Sequence, residues 1–406
     1  MLYALEFAPE RDAEIFAAAP AAAAVFVLWP HEAGGEPYIS KTANLRRRLI
    51  RLLGAADERT KKLNLRTRVA RIEYTPTGSD FESALVLYSA LRRLFPERYR
   101  ERLRLRPAPL VKLNLDNPYP RAYVTTRIGK LSGASFYYGP FGSRLAAEKF
   151  LNDSLDFFKM RRCDFDLHPD PAFPGCIYSE MKMCLAPCFK GCTDEQYVVE
   201  VARVQQYLDS GGLSLRRELQ AERERASAAT EFEQAAATHV RLEKVNAAAA
   251  QRPDVARRVD RLRALIVQPA SEPQHVALFR VEQGRVAPPV LFAVDATTTL
   301  ADDTATRRQP QSMESRIAQA LTAAPPLPRA TAAELMDHLA LLKRWYYRGS
   351  KTGEIFLADD TGDLPMRRVV RGVSRVFRGE KPAPDLNESA RDYWVNRGRE
   401  AERGPE

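Results

Sequence analysis

"RRCDFDLHPDPAFPGCIYSEMKMCLAPCFKGC" runs from Arg161 to Cys192 and contains all five cysteines of a 406-residue chain: Cys163, Cys176, Cys184, Cys188 and Cys192. Five unrelated cysteines would scatter, so the clustering points to a shared task. The chain opens "MLYALEFAPERDAEIF", with acidic residues early and no basic leader before an apolar run. No secretory signal is expected, and a cytoplasmic location follows. In a reducing compartment clustered thiols read as metal ligands rather than disulfides. The spacing C-x12-C-x7-C-x3-C-x3-C is not the two tight pairs of a structural zinc site. It suits an iron–sulfur cluster, whose thiolates can come from spread loop positions. Pro169, Pro171, Pro174 and Gly175 make the intervening segment a loop able to wrap, and Pro187 stiffens the turn before Cys188.

The rest of the chain sets the context. Its formal net charge is +10 and its pI about 9.4, which suggests a polyanionic partner, above all nucleic acid. Hydrophobic content is 45% and charged content 28%, ordinary for two or three globular domains. No apolar run is long enough to span a membrane.

Upstream of the cysteines, "AVFVLWP" (24–30) and "PYIS" (37–40) read as a strand pair around a Gly-Gly turn. "KTANLRRRLIRLL" is a basic amphipathic helix with Leu45, Leu49, Leu52 and Leu53 on one face. "RVARIEYTP" is a strand, and "SDFESALVLYSALRRLFPERY" a second helix. "RAYVTTR" is a strand, and "ASFYYGPFGSRLAAEKFLNDSLDFF" turns into a helix. Downstream, residues 193–250 read as two long helices broken at Gly211–Gly212, with Thr193 and Gln196 as a capping box. From about residue 268 the pattern alternates around a hairpin at Gln283–Gly284. A loop, "DATTTLADDTATRRQPQ", precedes two helices, "SMESRIAQALTAA" and "TAAELMDHLALLKRWYY". "RGSKTG" (348–353) is a turn, "GEIFLADD" a strand, and the tail after about residue 381 is charged and loose.

Cys163, Cys176, Cys184 and Cys188, with "RRC", "PGCIYSEMKMCLAPC" and "TDEQY", resemble the UvrC family, the excinuclease component of bacterial nucleotide excision repair. The resemblance implies that these four cysteines hold a 4Fe–4S cluster, with Cys192 outside the set. "AVFVLWP…EPYISKTANLRRRL" resembles the GIY-YIG nuclease core of the same family, and "FYYGPF" its next landmark. "TEFEQAAATHVRLEK" resembles the hairpin that docks on UvrB, another component of the same excinuclease, which implies that partner for residues 219–245. Phe232, Ala235, Ala236, Val240 and Leu242 would form its contact stripe, although the family's Arg-Asp pair is His239-Val240 here. No counterpart of the family's second nuclease and helix-hairpin-helix regions is expected within these 406 residues.

A GIY-YIG nuclease hydrolyses a phosphodiester with one divalent ion, a tyrosine base, an arginine and lysine on the phosphate, and a helical glutamate on the metal. Tyr38, Lys41 and Arg48 match the tyrosine, lysine and arginine. The first triplet reads Ala24-Val25-Phe26, the second ends in Ser40, the metal glutamate falls on Tyr88, and the family's asparagine falls on Arg100. Glu82 lies on the same helix but is set to point elsewhere. Magnesium wants carboxylates and water, so a chain with Tyr88 at that position is expected to lack a magnesium site and to cleave little or nothing. The basic helices suit sequence-independent phosphate contact through Arg46, Arg47, Arg51, Arg92, Arg93, Arg98 and Arg100, with Phe95 and Tyr99 available to stack on bases.

The expected molecule is an α+β protein in five parts. These are a degenerate GIY-YIG-like domain (1–110), a linker with the cysteine-rich iron–sulfur module (111–192), a helical hairpin (193–250), a C-terminal α/β region (251–380) and a charged tail (381–406). Its expected role is DNA binding in excision repair. Two other readings stand beside it: a single-incision metal-dependent nuclease, and a zinc-stabilised binding module without a repair role.

Overall fold

The structure, a computed structural model, describes residues 1–55, 63–129, 134–294 and 311–382. The loop expected at 295–311 lies outside the described residues except for its last position, as does the tail from residue 383. Among the described residues, no helix is long and apolar enough to cross a membrane.

Helices and antiparallel sheets are mixed, as an α+β protein requires. The first sheet holds β1 (Tyr3–Glu6), β2 (Ala24–Pro30), β3 (Tyr38–Thr42) and β4 (Val69–Pro76), in the order β1-β4-β2-β3. Strand β2 is apolar without a break from Ala24 to Leu28, and all five residues are buried. A central strand covered on both faces demands that pattern. The helix Leu45–Leu53 covers one face with the four leucines read from the sequence. Its N-cap is Asn44, whose side chain accepts from the Arg47 N–H at 2.9 Å. The helix Asp80–Leu94, capped by Ser79, lies against β2 and β3 from the other direction.

The second sheet holds β5 (Leu110–Asn114), β6 (Arg121–Thr125), β7 (Phe136–Gly139) and β8 (Arg257–Arg258), in the order β6-β5-β7-β8. Helices Arg144–Leu155 and Asp194–Ser210 close one core with it through Phe150, Tyr197 and Tyr207. The third sheet holds β9 (Ala264–Pro269), β10 (His275–Glu282), β11 (Arg285–Val286), β12 (Val290–Ala293) and β13 (Glu354–Leu357). Its order is β11-β10-β9-β13, with β12 paired to β10. Gln283 and Gly284 both have positive φ, 51° and 78°, the backbone that a two-residue hairpin turn needs.

One expectation is corrected. Residues 193–250 form three helices, Asp194–Ser210, Leu213–Ala228 and Phe232–Ala250. The first break is at Gly211–Gly212, where both residues are left-handed, and a second falls at Ala229–Glu231. Thr230 turns there with φ of 62°, so neither glycine nor proline marks it. The antiparallel hairpin is therefore the later two helices. The chain also forms a helix at Met366–Phe377, a segment for which no element is expected from the sequence. Its Val369, Val373 and Val376 bury against Leu265, Val267 and Phe356.

One helix joins the parts. Ala332–Tyr346 sends Leu335, Leu339, Leu342 and Trp345 into a core shared with Phe81, Leu110, Ile266 and Phe279, drawn from all three neighbouring regions. Its Leu341 packs against Tyr88, Leu91, Tyr99 and Leu103.

Candidate functional site

The residues that match a GIY-YIG site are split between two environments. Tyr38 is set by β3 opposite Leu28 of β2, and its ring lies 6.1 Å from that of Phe26. Arg48, one turn into the helix Leu45–Leu53, donates from Nη2 to the Tyr38 hydroxyl at 2.8 Å. Arg48 Nε is buried and has no partner among the described residues. Lys41 is three positions further along the strand and turns to the helix Asp80–Leu94, where it pairs with Asp80. Asp80 also pairs with Arg348, just beyond the helix Ala332–Tyr346. Burial works against the Asp80 carboxylate, but Lys41 and then Arg348 hold it below its ordinary pKa.

Tyr88, expected at the position of the metal glutamate, is only 2% exposed. Its hydroxyl lies 3.4 Å from Asp337 Oδ2, on the helix Ala332–Tyr346. Asp337 is bound more tightly by Tyr99, whose hydroxyl donates at 2.6 Å, and by Arg100, whose Nε donates at 2.8 Å. Arg92 donates to the Tyr88 hydroxyl at 3.3 Å and pairs with Glu334 at 3.5 Å. Burial and the nearby Asp337 push the Tyr88 phenol well above its usual range. This is a closed polar seam between two regions of the fold. Glu82 is engaged as well, its carboxylate accepting the Gly78 N–H at 2.7 Å.

Three of the seven arginines expected on DNA are held by protein. Arg46 donates to the carbonyls of Ala17 and Ala19, and Arg92 and Arg100 belong to the seam. Arg47, Arg51, Arg93 and Arg98 are exposed. Phe95 is covered by the Arg102 guanidinium at 3.8 Å, and Tyr99 is buried, so neither ring is free to stack on a base.

The cysteine loop leaves the helix Arg144–Leu155, crosses a turn at Cys176–Glu180, and returns to the helix Asp194–Ser210. Its backbone is tightly wound: Lys182, Ala186 and Lys190 all take left-handed φ, at 57°, 56° and 59°. Left-handed non-glycine residues cost energy and tend to gather at functional sites. Cys163, Cys176, Cys184 and Cys192 are half-buried, Cys188 is buried, and all five are unbridged. Burial pushes the Cys184 thiol up to about 11, with the charges of Cys163, Cys188 and Cys176 adding to it. Cys188 is raised by burial and then by Cys176. Those four sulfurs thus share one electrostatic neighbourhood. Cys192 is raised by burial, Asp194 and Cys188, and is the outlier. Among the described residues, no three His, Cys, Asp or Glu side chains are gathered closely enough to hold a metal ion.

The sequence does not reveal the residue that organises the loop. Arg161 is 1% exposed. It donates to the carbonyls of Tyr119 at 2.8 Å and Phe165 at 2.9 Å, and to Cys163 Sγ at 3.5 Å. Its N–H meets the Tyr197 hydroxyl at 3.2 Å. These acceptors are neutral groups and a sulfur. A buried guanidinium is costly without a compensating anion. Thiolate sulfur beside Cys163 would supply one. The only sequence signal is the Arg-Arg-Cys triplet, which does not say which arginine turns inward.

Residues 108–207, which carry β5 to β7, the cysteine loop and the helix Asp194–Ser210, match the family model described as UvrC/Cho excinuclease, middle domain. The chain is therefore a protein with an excinuclease-type middle domain. Over about half of its length it is similar to UvrABC system protein C sequences. A UvrABC system protein C from Idiomarina loihiensis is 31% identical over 213 residues, 50% of this chain and 33% of that protein. Another, from Acidobacterium capsulatum, is 34% identical over 212 residues, 52% of this chain and 32% of that protein. A third, from Alcanivorax borkumensis, is 29% identical over 215 residues, 53% and 35% of the two chains. The matched part is thus about half of this chain and about a third of the relatives' length. No solved structure matches it.

Proposed function

We propose that this chain acts in DNA repair as a binding component of nucleotide excision, its GIY-YIG-like part a scaffold rather than a nuclease. The single observation that carries the reading is the burial of Tyr88 against Asp337, which puts a closed seam where a catalytic magnesium ion would need a carboxylate and water. DNA is held through its backbone by Arg47, Arg51, Arg93 and Arg98, without reading sequence. The four cysteines Cys163, Cys176, Cys184 and Cys188 hold an iron–sulfur cluster; the buried Arg161 and the Ala186 N–H, 3.3 Å from Cys184 Sγ, suit a thiolate set. The cluster's role there is structural, tying the loop together. The hairpin Leu213–Ala228 and Phe232–Ala250 offers Phe232, 69% exposed, and Val240, 52% exposed, to UvrB.

A second reading, a metal-dependent nuclease making one incision, draws on the Tyr38–Arg48 hydrogen bond of 2.8 Å. One experiment separates the two. Wild type and Tyr38→Phe are incubated with damaged and plain duplex DNA and magnesium or manganese, while binding is titrated across salt. The scaffold reading expects salt-sensitive binding and equal, background nicking. Reversing Arg47, Arg51, Arg93 and Arg98 to Glu should flatten the salt slope by roughly 0.9 for each phosphate no longer neutralised. Nicking by wild type that Tyr38→Phe abolishes would establish the nuclease instead.

A further inference from the structure

A cavity of about 890 Å³ lies where the second and third sheets meet, away from the cysteine loop and joined to the Tyr88 seam through the Arg285–Glu334 ion pair. Its apolar lining comes from Phe136 and Tyr137 on β7, Ala264 on β9, and Leu321, Leu327 and Leu335. Four arginines also line it, Arg263, Arg280, Arg285 and Arg329, against two carboxylates, Asp260 and Glu282. The polar lining is therefore net positive by two charges, 4 minus 2.

The arginines fall into two pairs. Arg263 and Arg329 are exposed. Arg280 and Arg285 are sunk, with 17% and 15% of their side chains exposed. They hold down the proline-rich segment over the cavity, donating to the carbonyls of Pro325 and Pro328. Their remaining ion pairs are with Glu282 at 3.2 Å and Glu334 at 2.6 Å. Yet the Nε of each is buried and has no partner among the described residues. Buried donors are normally satisfied, so these two N–H groups show that the protein's own acceptors do not saturate the guanidinium groups beside the cavity.

We propose that this cavity binds a single nucleotide unit, its base against the apolar wall and its phosphate met by Arg263, Arg280, Arg285 and Arg329. The volume lies within the roughly 300–1,000 Å³ of small-ligand pockets, far more than a bare phosphate needs. The planar, forked guanidinium matches phosphate oxygens, and an apolar wall rich in rings and leucines suits a base. The unit is either a free nucleotide or one nucleotide of single-stranded DNA. The site is separate from the basic helices proposed for duplex DNA and does not rest on them.

The full chain is titrated calorimetrically with deoxythymidine 5′-monophosphate, inorganic phosphate and a short single-stranded oligonucleotide. The same titrations use the double variant Arg263→Ala with Arg329→Ala, whose side chains are exposed, and Leu327→Trp, which fills the cavity. Thermal melting without ligand confirms that each variant is folded. The proposal expects the mononucleotide to bind more tightly than phosphate, and both variants to weaken it by about tenfold or more. If oligonucleotide binding falls in the same proportion, the natural source is DNA; if it does not, the source is the free nucleotide. No binding of either nucleotide ligand, binding that both variants leave intact, or phosphate binding as tight as the mononucleotide would overturn it. Because the mononucleotide arm uses no duplex, failure here leaves the DNA-binding reading standing.

Discussion

Changing Tyr88→Glu looks like a repair of the nuclease, since it restores the residue type that the family uses for its metal. The surroundings of Tyr88 imply that it should damage the protein instead. The Tyr88 ring is buried among Tyr99, Leu91, Leu103 and Leu341, and His338 lies edge-on at 5.4 Å. Replacing it with a shorter chain forfeits packing worth about 2 kcal/mol. The new carboxylate would lie close to Asp337, which already accepts from Tyr99 and Arg100. Two buried like charges cost more, and Arg92 offsets only part of it. The net destabilisation should be about 3–5 kcal/mol, or roughly 6–15 °C in the transition that includes the helix Ala332–Tyr346. Tyr88→Phe keeps the ring and gives up two long hydrogen bonds, 3.4 Å to Asp337 and 3.3 Å from Arg92, so it should cost about 1–2 kcal/mol. Adding Asp337→Asn to Tyr88→Glu should recover part of the loss. Calorimetric melting of the four proteins, with magnesium nicking assays alongside, tests this. A Tyr88→Glu protein that melts with wild type, or that nicks DNA in a Tyr38-dependent way, would refute the reasoning.

The same seam carries a pH signature. His338 Nδ1 accepts the Val286 N–H at 3.2 Å, so its ring is neutral, and burial lowers its pKa from 6.5 to about 4 despite Glu334 and Asp337, with Arg285 and Arg92 also facing it. Between those values the unfolded chain binds the proton and the folded one does not, so stability should fall as pH drops from 6.5 toward 4. The full gap is worth about 3 kcal/mol. His338→Gln should flatten that part of a stability-versus-pH curve, and an unchanged acid limb would count against the assignment. For the cysteine loop, anaerobically purified protein should absorb broadly in the visible and contain iron and sulfide. Cys188→Ser should lose both and melt earlier, whereas stoichiometric zinc without sulfide would exclude the cluster.

How much is legible in the sequence depends on whether a signal is local. The first sheet is readable because β2 is an unbroken apolar run and the helix after Asn44 repeats leucine at helical spacing. The hairpin at Gln283–Gly284 is readable because glycine marks a turn that needs positive φ. The break at Thr230 is not, because alanine, threonine and glutamate carry no such mark. The helix Met366–Phe377 has helical spacing of its valines with the four arginines on the opposite face, but no capping side chain marks its start after Pro365. The roles of Arg92 and Arg100 are beyond local reading, since their partners lie far along the chain; Asp337 is 237 residues from Arg100. A solvent-facing arginine and an arginine in a distant ion pair look alike until the partner is placed.

Those distant partners give the departures from the family pattern a common cause. Phe26 stands where the family has a tyrosine, and it is completely buried beneath the helix Leu45–Leu53. Tyr88 and Arg100 stand where it has glutamate and asparagine, and both reach Asp337. If these departures were random drift, their side chains would be expected to differ in fate, some exposed and some buried at random. Instead Tyr88, Tyr99 and Arg100 converge on one carboxylate from a helix that also fills the shared core. A magnesium site needs its carboxylate open to water, and a docked helix needs the same surface dry. The two demands exclude each other, so under the scaffold reading the Asp337 seam and the absent metal position are one structural feature.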